Sequence, residues 1–207
     1  MAEHSVPSPA AQLARSATAE AFLDAAERLL LEVGHAEVST RRLAAEAGAN
    51  QGLVHYYFGS MDELFVQVLE RFTERLVARQ REMYAADAPF IEKWRAAWRF
   101  QEEDLESGYS KIWMELQALS WNRPELRPRV ARVNNEWRGV LREAYRAAAA
   151  EYGLAEDELP VEALVAMTMT FGQGYALERL EGIDTGHREL LDWIESRLEM
   201  LEGGRRP

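Results

Sequence analysis

No cysteine occurs in the 207 residues. That removes disulfides, thiol nucleophiles and cysteine-based metal sites, and it suits a reducing compartment. Long apolar runs are missing too: none approaches the ~18 residues that a membrane span requires. Residues Met1 to Ser16 carry neither a basic start nor an apolar stretch, so they do not make a secretion signal. A cytoplasmic protein with no membrane partner is expected. Positive charge is also scarce. The formal net charge of -11 argues against a protein that coats nucleic acid indiscriminately. Residues 1–60 share the imbalance, with Arg15, Arg28, Arg41 and Arg42 set against Glu3, Glu20, Asp24, Glu27, Glu32, Glu37 and Glu46.

Catalytic machinery is a further absence. There is no phosphate-binding loop and no nucleophile with a plausible base. The Glu32 to His35 spacing seen in di-iron bundles occurs once, at a helix end broken by Gly34. Neither an enzyme nor a metal or cofactor is expected.

What the chain does contain is 47% hydrophobic residues, enough for a globular core, arranged mainly at helical period. A loose leader spans 1–17. Thr18 then caps a helix to about Val33, with Phe22, Ala25, Ala26, Leu29, Leu30 and Val33 on one stripe and Gly34 as its stop. Ser39 is an N-cap, Leu43, Ala44 and Ala47 share an apolar face, and Gly48 closes that short helix. Asn50 restarts the chain as the next N-cap, followed by Gln51, Gly52 and Leu53 and the aromatic run His55, Tyr56, Tyr57 and Phe58. Two short helices joined by a glycine-containing turn form a helix-turn-helix, the geometry of a DNA reader. Phe58 is expected in the core, and Tyr56 and Tyr57 cannot both be buried.

Ser60 and Glu63 make a capping box for a long helix carrying Leu64, Phe65, Val68, Leu69, Phe72 and Leu76. No flexible linker precedes it, so its movement is transmitted to the motif. The remainder predicts helices near 90–106, 110–121, 125–151, 160–181 and 187–202, and a frayed tail at 203–207. Alternating with Glu125, Glu136 and Glu143, the arginines at 123, 127, 129, 132, 138, 142 and 146 read as a salt-bridged face rather than a nucleic-acid patch.

The motif and its surroundings resemble the TetR family of bacterial transcription repressors. The resemblance rests on Phe22-Leu23-Asp24-Ala25-Ala26, Gly34, Ser39-Thr40-Arg41, Leu43-Ala44, Ala47-Gly48, Gln51 through Phe58, and Ser60 through Leu64. It covers roughly residues 19–69; beyond about 75 only the architecture matches. It implies a homodimer on a palindromic double-stranded DNA operator, released by a small-molecule effector. The expected DNA-facing set is Thr40, Arg41, Asn50, Gln51, Gly52, Leu53, His55, Tyr56 and Tyr57. Within it the resemblance gives Thr40 a phosphate contact, Arg41 a guanine and Gln51 a base or phosphate, and arginine and glutamine geometry suits guanine and adenine respectively. Where the family often carries lysine this chain has Gln51 and Met61, so fewer phosphates are neutralised and a shallower salt dependence is expected.

All six tryptophans lie after residue 90. Trp94, Trp98, Trp113, Trp121 and Trp137, together with Met114, Gln117, Asn134, Met167, Phe171 and Tyr175, supply the apolar walls and few orienting polar groups of a ligand cavity. An apolar or aromatic effector is expected there. The segment 161–177 is apolar on nearly all sides, and Leu191, Ile194, Leu198 and Leu201 form a seam. A four-helix dimer interface including Val165, Gly172, Leu191, Ile194 and Leu198 follows.

The expected fold class is therefore all-α: an N-terminal three-helix helix-turn-helix DNA-binding domain at 18–60, and a C-terminal helical ligand-binding and dimerisation domain at 61–202. The rival is an all-α enzyme or small-molecule carrier whose N-terminal bundle is only structural.

Overall fold

Helical periodicity, punctuated by glycine and capping serine, sets the architecture of the computed structural model. It describes residues 9–155, 157–158 and 160–204, with side chains from 17 onward. Among the described residues there are nine α-helices and no strand: α1 (Pro9–Val33), α2 (Thr40–Glu46), α3 (Gly52–Phe58), α4 (Met61–Ala85), α5 (Phe90–Glu106), α6 (Tyr109–Trp121), α7 (Arg127–Tyr152), α8 (Val161–Leu180) and α9 (His187–Gly203). A single 3₁₀ turn, His35–Glu37, links α1 to α2.

One boundary departs from expectation. The leader over 1–8 lies outside the described residues, but 9–17 is helical and Thr18 sits inside α1 instead of capping it. Pro9 takes the first helical position, where it lacks no needed donor, and the alanines, Gln12, Leu13 and Arg15 that follow are strong helix formers. Of the expected tail, Gly203 closes α9 and 205–207 lie outside the described residues.

The N-cap position of α3 is Gln51, one residue after the expected Asn50, while the serine caps work as expected. Ser39 Oγ accepts from Arg42 N at 3.2 Å. Ser60 Oγ accepts from Glu63 N at 3.1 Å, starting α4 two residues after α3. One continuous apolar core then runs from α1 (Phe22, Leu30) through α2 to α4 (Leu43, Val54, Phe58, Leu64, Leu69) into α6 and α7 (Ile112, Trp113, Leu116, Val130, Val133). A smaller cluster, Phe90, Ala144 and Ala148 with Tyr84, Trp94, Tyr145 and Leu198 against it, holds the far end.

Ion pairs fasten the surface. Arg71 reaches Glu20, Asp24 and Glu27, and Arg75 reaches Glu27 at 2.8 Å, so acidic side chains of α1 are met by α4. Several arginines of the 123–146 run are salt-bridged, but to other helices: Arg123, just before α7, to Asp62 at 2.7 Å, and on α7 Arg129 to Glu63 and Glu70, and Arg142 to Glu162. Burial opposes the charge on Glu70, yet hydrogen bonds from Arg129 and Arg132 hold its carboxyl below the usual range. At the far end Arg95 ties α5 to Glu195 and Glu199 of α9. No helix is long and apolar enough to cross a membrane among the described residues.

Candidate DNA-reading surface and effector cavity

The turn between α2 and α3 places short polar groups outward on a rigid apolar base. Leu43, Ala44, Val54 and Phe58 are buried, while Arg41, Arg42, Asn50, Gln51, Gly52, His55 and Tyr56 are exposed on one side. Asn50 Oδ1 accepts from Gly52 N at 2.9 Å, which fixes the entry to α3. Thr40 and Leu53 are half-buried at the edge. Tyr56 is 56% exposed, whereas Tyr57 leans into the core with its ring centroid 6.3 Å from Phe22.

Charge on this face is selective. Arg28 is taken by Glu46 at 2.9 Å. Arg41 and Arg42 form no ion pair among the described residues. His55 is oriented by its own helix end: Nδ1–H donates to the Gly59 carbonyl at 2.9 Å. Its outward Nε2 is then an acceptor in the neutral ring and a donor only in the imidazolium, the form a phosphate contact through Nε2 would require.

At the other end α4 to α9 surround a cavity of about 510 Å³. It is lined by Trp94, Trp98, Trp113, Met114, Trp137, Met167 and Phe171, all expected there. The remaining expected residues lie elsewhere. Trp121, 66% exposed, ends α6 beyond the core. Gln117 does not reach the lining, and Asn134 only accepts from the lining Gln173 at 3.3 Å. Tyr175 backs the wall, its ring 5.5 Å from Trp98 and its hydroxyl donating to Glu102. Sequence reasoning missed Gln80, Gln101, Asp104 and Ser110, which also line the space. Gln80 and Asp104 extend apolar stripes of α4 and α5, and a polar residue on such a stripe was the available signal. Burial pushes Asp104 up to about 6 even though Arg79 donates to it at 2.7 Å.

Of the expected interface residues, Val165 is buried and Gly172, Leu191, Ile194 and Leu198 are half-buried within one subunit. Gly172, Ile194 and Leu198 line the cavity. An all-round apolar α8 gives no phase from which to choose a face, and the regular seam of α9 packs against its own subunit. The outward apolar side is instead Met167, Leu177, Leu180, Ile183, Trp193 and Met200.

One contact links the two ends directly. Glu115, one residue past the cavity-lining Met114, accepts from the His35 amide at 2.7 Å and from His35 Nδ1–H at 3.2 Å. Gly34 permits this approach: its φ is +76°, and a Cβ there would stand 2.9 Å from Glu115 Oε1.

The chain is all-α, with a helix-turn-helix at one end and a ligand-sized cavity at the other. Residues 22–68 match the family model "Bacterial regulatory proteins, tetR family", a similarity confined to that segment. A relative from Chromohalobacter salexigens, HTH-type transcriptional regulator BetI 1, is 31% identical over 111 residues, covering 51% of this chain and 54% of its own length. The chain thus spans about half the length of the curated relatives it matches. The crystal structure of a TetR transcription regulator from Haloarcula marismortui superposes with a TM-score of 0.69 at 20% identity, covering 88% of this chain and 96% of that one. The multidrug binding protein EbrR, complexed with imidazole, gives 0.60 at 27% identity over 86% and 88% of the two chains.

Proposed function

We propose that the protein is a cytoplasmic, ligand-responsive transcriptional repressor. It binds a palindromic operator as a homodimer and is released by a small apolar or aromatic effector. The observation that carries this reading is the shared core: Trp113 belongs both to the cavity wall and to the apolar cluster that holds Val54 and Phe58 of α3. An effector that shifts Trp113 displaces a side chain packed into the same core as the reading helix, because close-packed interiors transmit strain. Glu115 on α6 and the capped α4 are the two mechanical links. Likeness to a multidrug binding protein favours a permissive apolar site.

Arg41 and Gln51 carry the base contacts in this reading, and Thr40, Asn50, Gly52, Leu53, His55, Tyr56 and Tyr57 support them on the DNA face. A second copy is expected to cover Met167, Leu177, Leu180, Ile183, Trp193 and Met200. Leu190, Trp193 and Leu201 are both exposed and cavity-lining, so that partner would also close the open side of the site.

A mobility-shift titration on DNA upstream of the protein's own gene and its neighbours tests the proposal. Retarded DNA that is freed by apolar aromatic compounds is expected, with Arg41→Ala weakening binding by about 1–3 kcal/mol. The absence of protection on every such fragment would overturn it.

A further inference from the structure

The cavity is apolar but not uniformly so. Where α4, α5 and α6 meet it carries Gln80, Gln101, Asp104 and Ser110, while the α8 and α9 walls are mainly apolar (Met167, Phe171, Trp193, Ile194 and Leu198), their Thr168 and Gln173 being engaged by Tyr145 and Asn134. Gln80 is 8% exposed and Ser110 4% exposed, so both exceed nine-tenths burial. Neither makes a hydrogen bond to any described residue, and the polar atoms of neither are sealed off from the cavity. Buried hydroxyls and amides without partners cost about 1–3 kcal/mol each, so native interiors rarely retain them unless something else meets them.

The charges present narrow what that partner is. Only Asp104 and Arg197 among the lining residues are ionisable to full charge at neutral pH. Arg79 already occupies Asp104 at 2.7 Å, and Arg197 is exposed, stacked over Trp193 at 5.3 Å on the open side. An anionic head reaching the α4–α6 end would meet no unpaired cation. A cationic head there would share Asp104 with Arg79, which already holds its Oδ1 at 2.7 Å. An anion would be desolvated without compensation, at a cost of several kcal/mol. Glutamine and serine, by contrast, each donate and accept.

On the reading that this cavity is the effector site, we propose that it selects an elongated apolar molecule ending in an uncharged head that both donates and accepts hydrogen bonds, an alcohol, phenol or primary amide, held by Gln80 and Ser110. Carboxylates with the same tail are discriminated against.

The test uses the purified full chain and the neutral fluorescent reporter N-phenyl-1-naphthylamine, displaced in turn by decanamide and decanoate at pH 7.5. Decanamide is expected to displace the reporter at a concentration at least about tenfold lower than decanoate. Gln80→Leu and Ser110→Ala, checked for unchanged thermal unfolding, should each weaken decanamide about tenfold, the value of one hydrogen bond, and leave reporter binding unchanged. Ser110→Ala is the smaller change and reads the same contact if Gln80→Leu does not fold. Decanoate binding as tightly as decanamide would overturn the inference, as would unaltered decanamide affinity in the folded variants. A reporter that fails to bind the wild-type protein would instead remove the effector-cavity reading itself.

Discussion

The two ends of the molecule use apolar residues in opposite ways. At the reading end, Phe22, Leu43, Val54, Phe58 and Leu64 close on one another with almost no exposure. At the effector end, Trp94, Trp98, Met167 and Phe171 stand around an unfilled volume of about 510 Å³, and further apolar side chains of α8 and α9 point outward. Filled packing holds the short α2 and α3 against α1 in one geometry, as the proposed DNA reading requires. Unfilled packing leaves conformations available for a ligand to select. The difference lies in how helices are phased against their neighbours, since aromatic residues are abundant at both ends.

The largest expected effect exploits this contrast. Phe22 is fully buried, edge-on to Phe58 with centroids 6.2 Å apart. Phe22→Ala should cost about 3–5 kcal/mol in urea unfolding, by lost transfer energy plus a cavity that cannot collapse. Trp98→Ala removes a larger side chain that already borders open space, and so is expected to cost less. An equal loss in the two variants would break the comparison.

Asp104 supplies the next effect, with a sign opposite to that of an ordinary salt-bridged carboxylate. Its folded-state pKa of about 6 lies above the ordinary aspartate value of 3.8, so between those values the folded protein holds more protons than the unfolded one. Stability contributed by protonated Asp104 is therefore present at low pH and is lost as pH rises through about 6. The stability of wild type relative to Asp104→Asn should fall by on the order of 2–3 kcal/mol between pH 4 and pH 7.5. A flat difference across that range would show that Arg79 fully compensates the burial.

Glu115 tests the connection between the ends. Glu115→Ala leaves the His35 amide without its acceptor and is expected to cost about 1–2 kcal/mol of stability. The informative readout is coupling: operator affinity without effector should be nearly retained, while the effector-induced weakening shrinks. Unchanged coupling would assign transmission to α4 alone.

The placement of helices was legible because stops and caps are local: Gly34, Ser39, Gly48 and Ser60 act within a turn of themselves. Which side of α3 is exposed was legible for the same reason, since a short amphipathic helix has one buried face. The effector end was harder to read. Trp113 and Trp121 lie eight residues apart on α6, yet one lines the cavity and the other is exposed, because the core ends before the helix does. Periodicity also found the Leu191–Ile194–Leu198 seam but could not show which helix it meets. Glu115 was illegible: its partner His35 is eighty residues away and is reached through a backbone amide.

The smallest expected effect sits at the junction of the two regions. Ser60 accepts from Glu63 N and starts the α4 that leads from the closed core to the open one. Ser60→Ala removes one cap from a helix end that also has Asp62 and Glu63 facing the dipole, so a loss of about 1 kcal/mol in the unfolding midpoint is expected, with the denaturant slope unchanged. If the first turn of α4 instead frays, the slope falls and effector response weakens with it, because a loosened joint absorbs motion that the capped helix passes on. Measuring the slope and the response in the same variant therefore separates a local loss of stability from a break in the connection between the two ends.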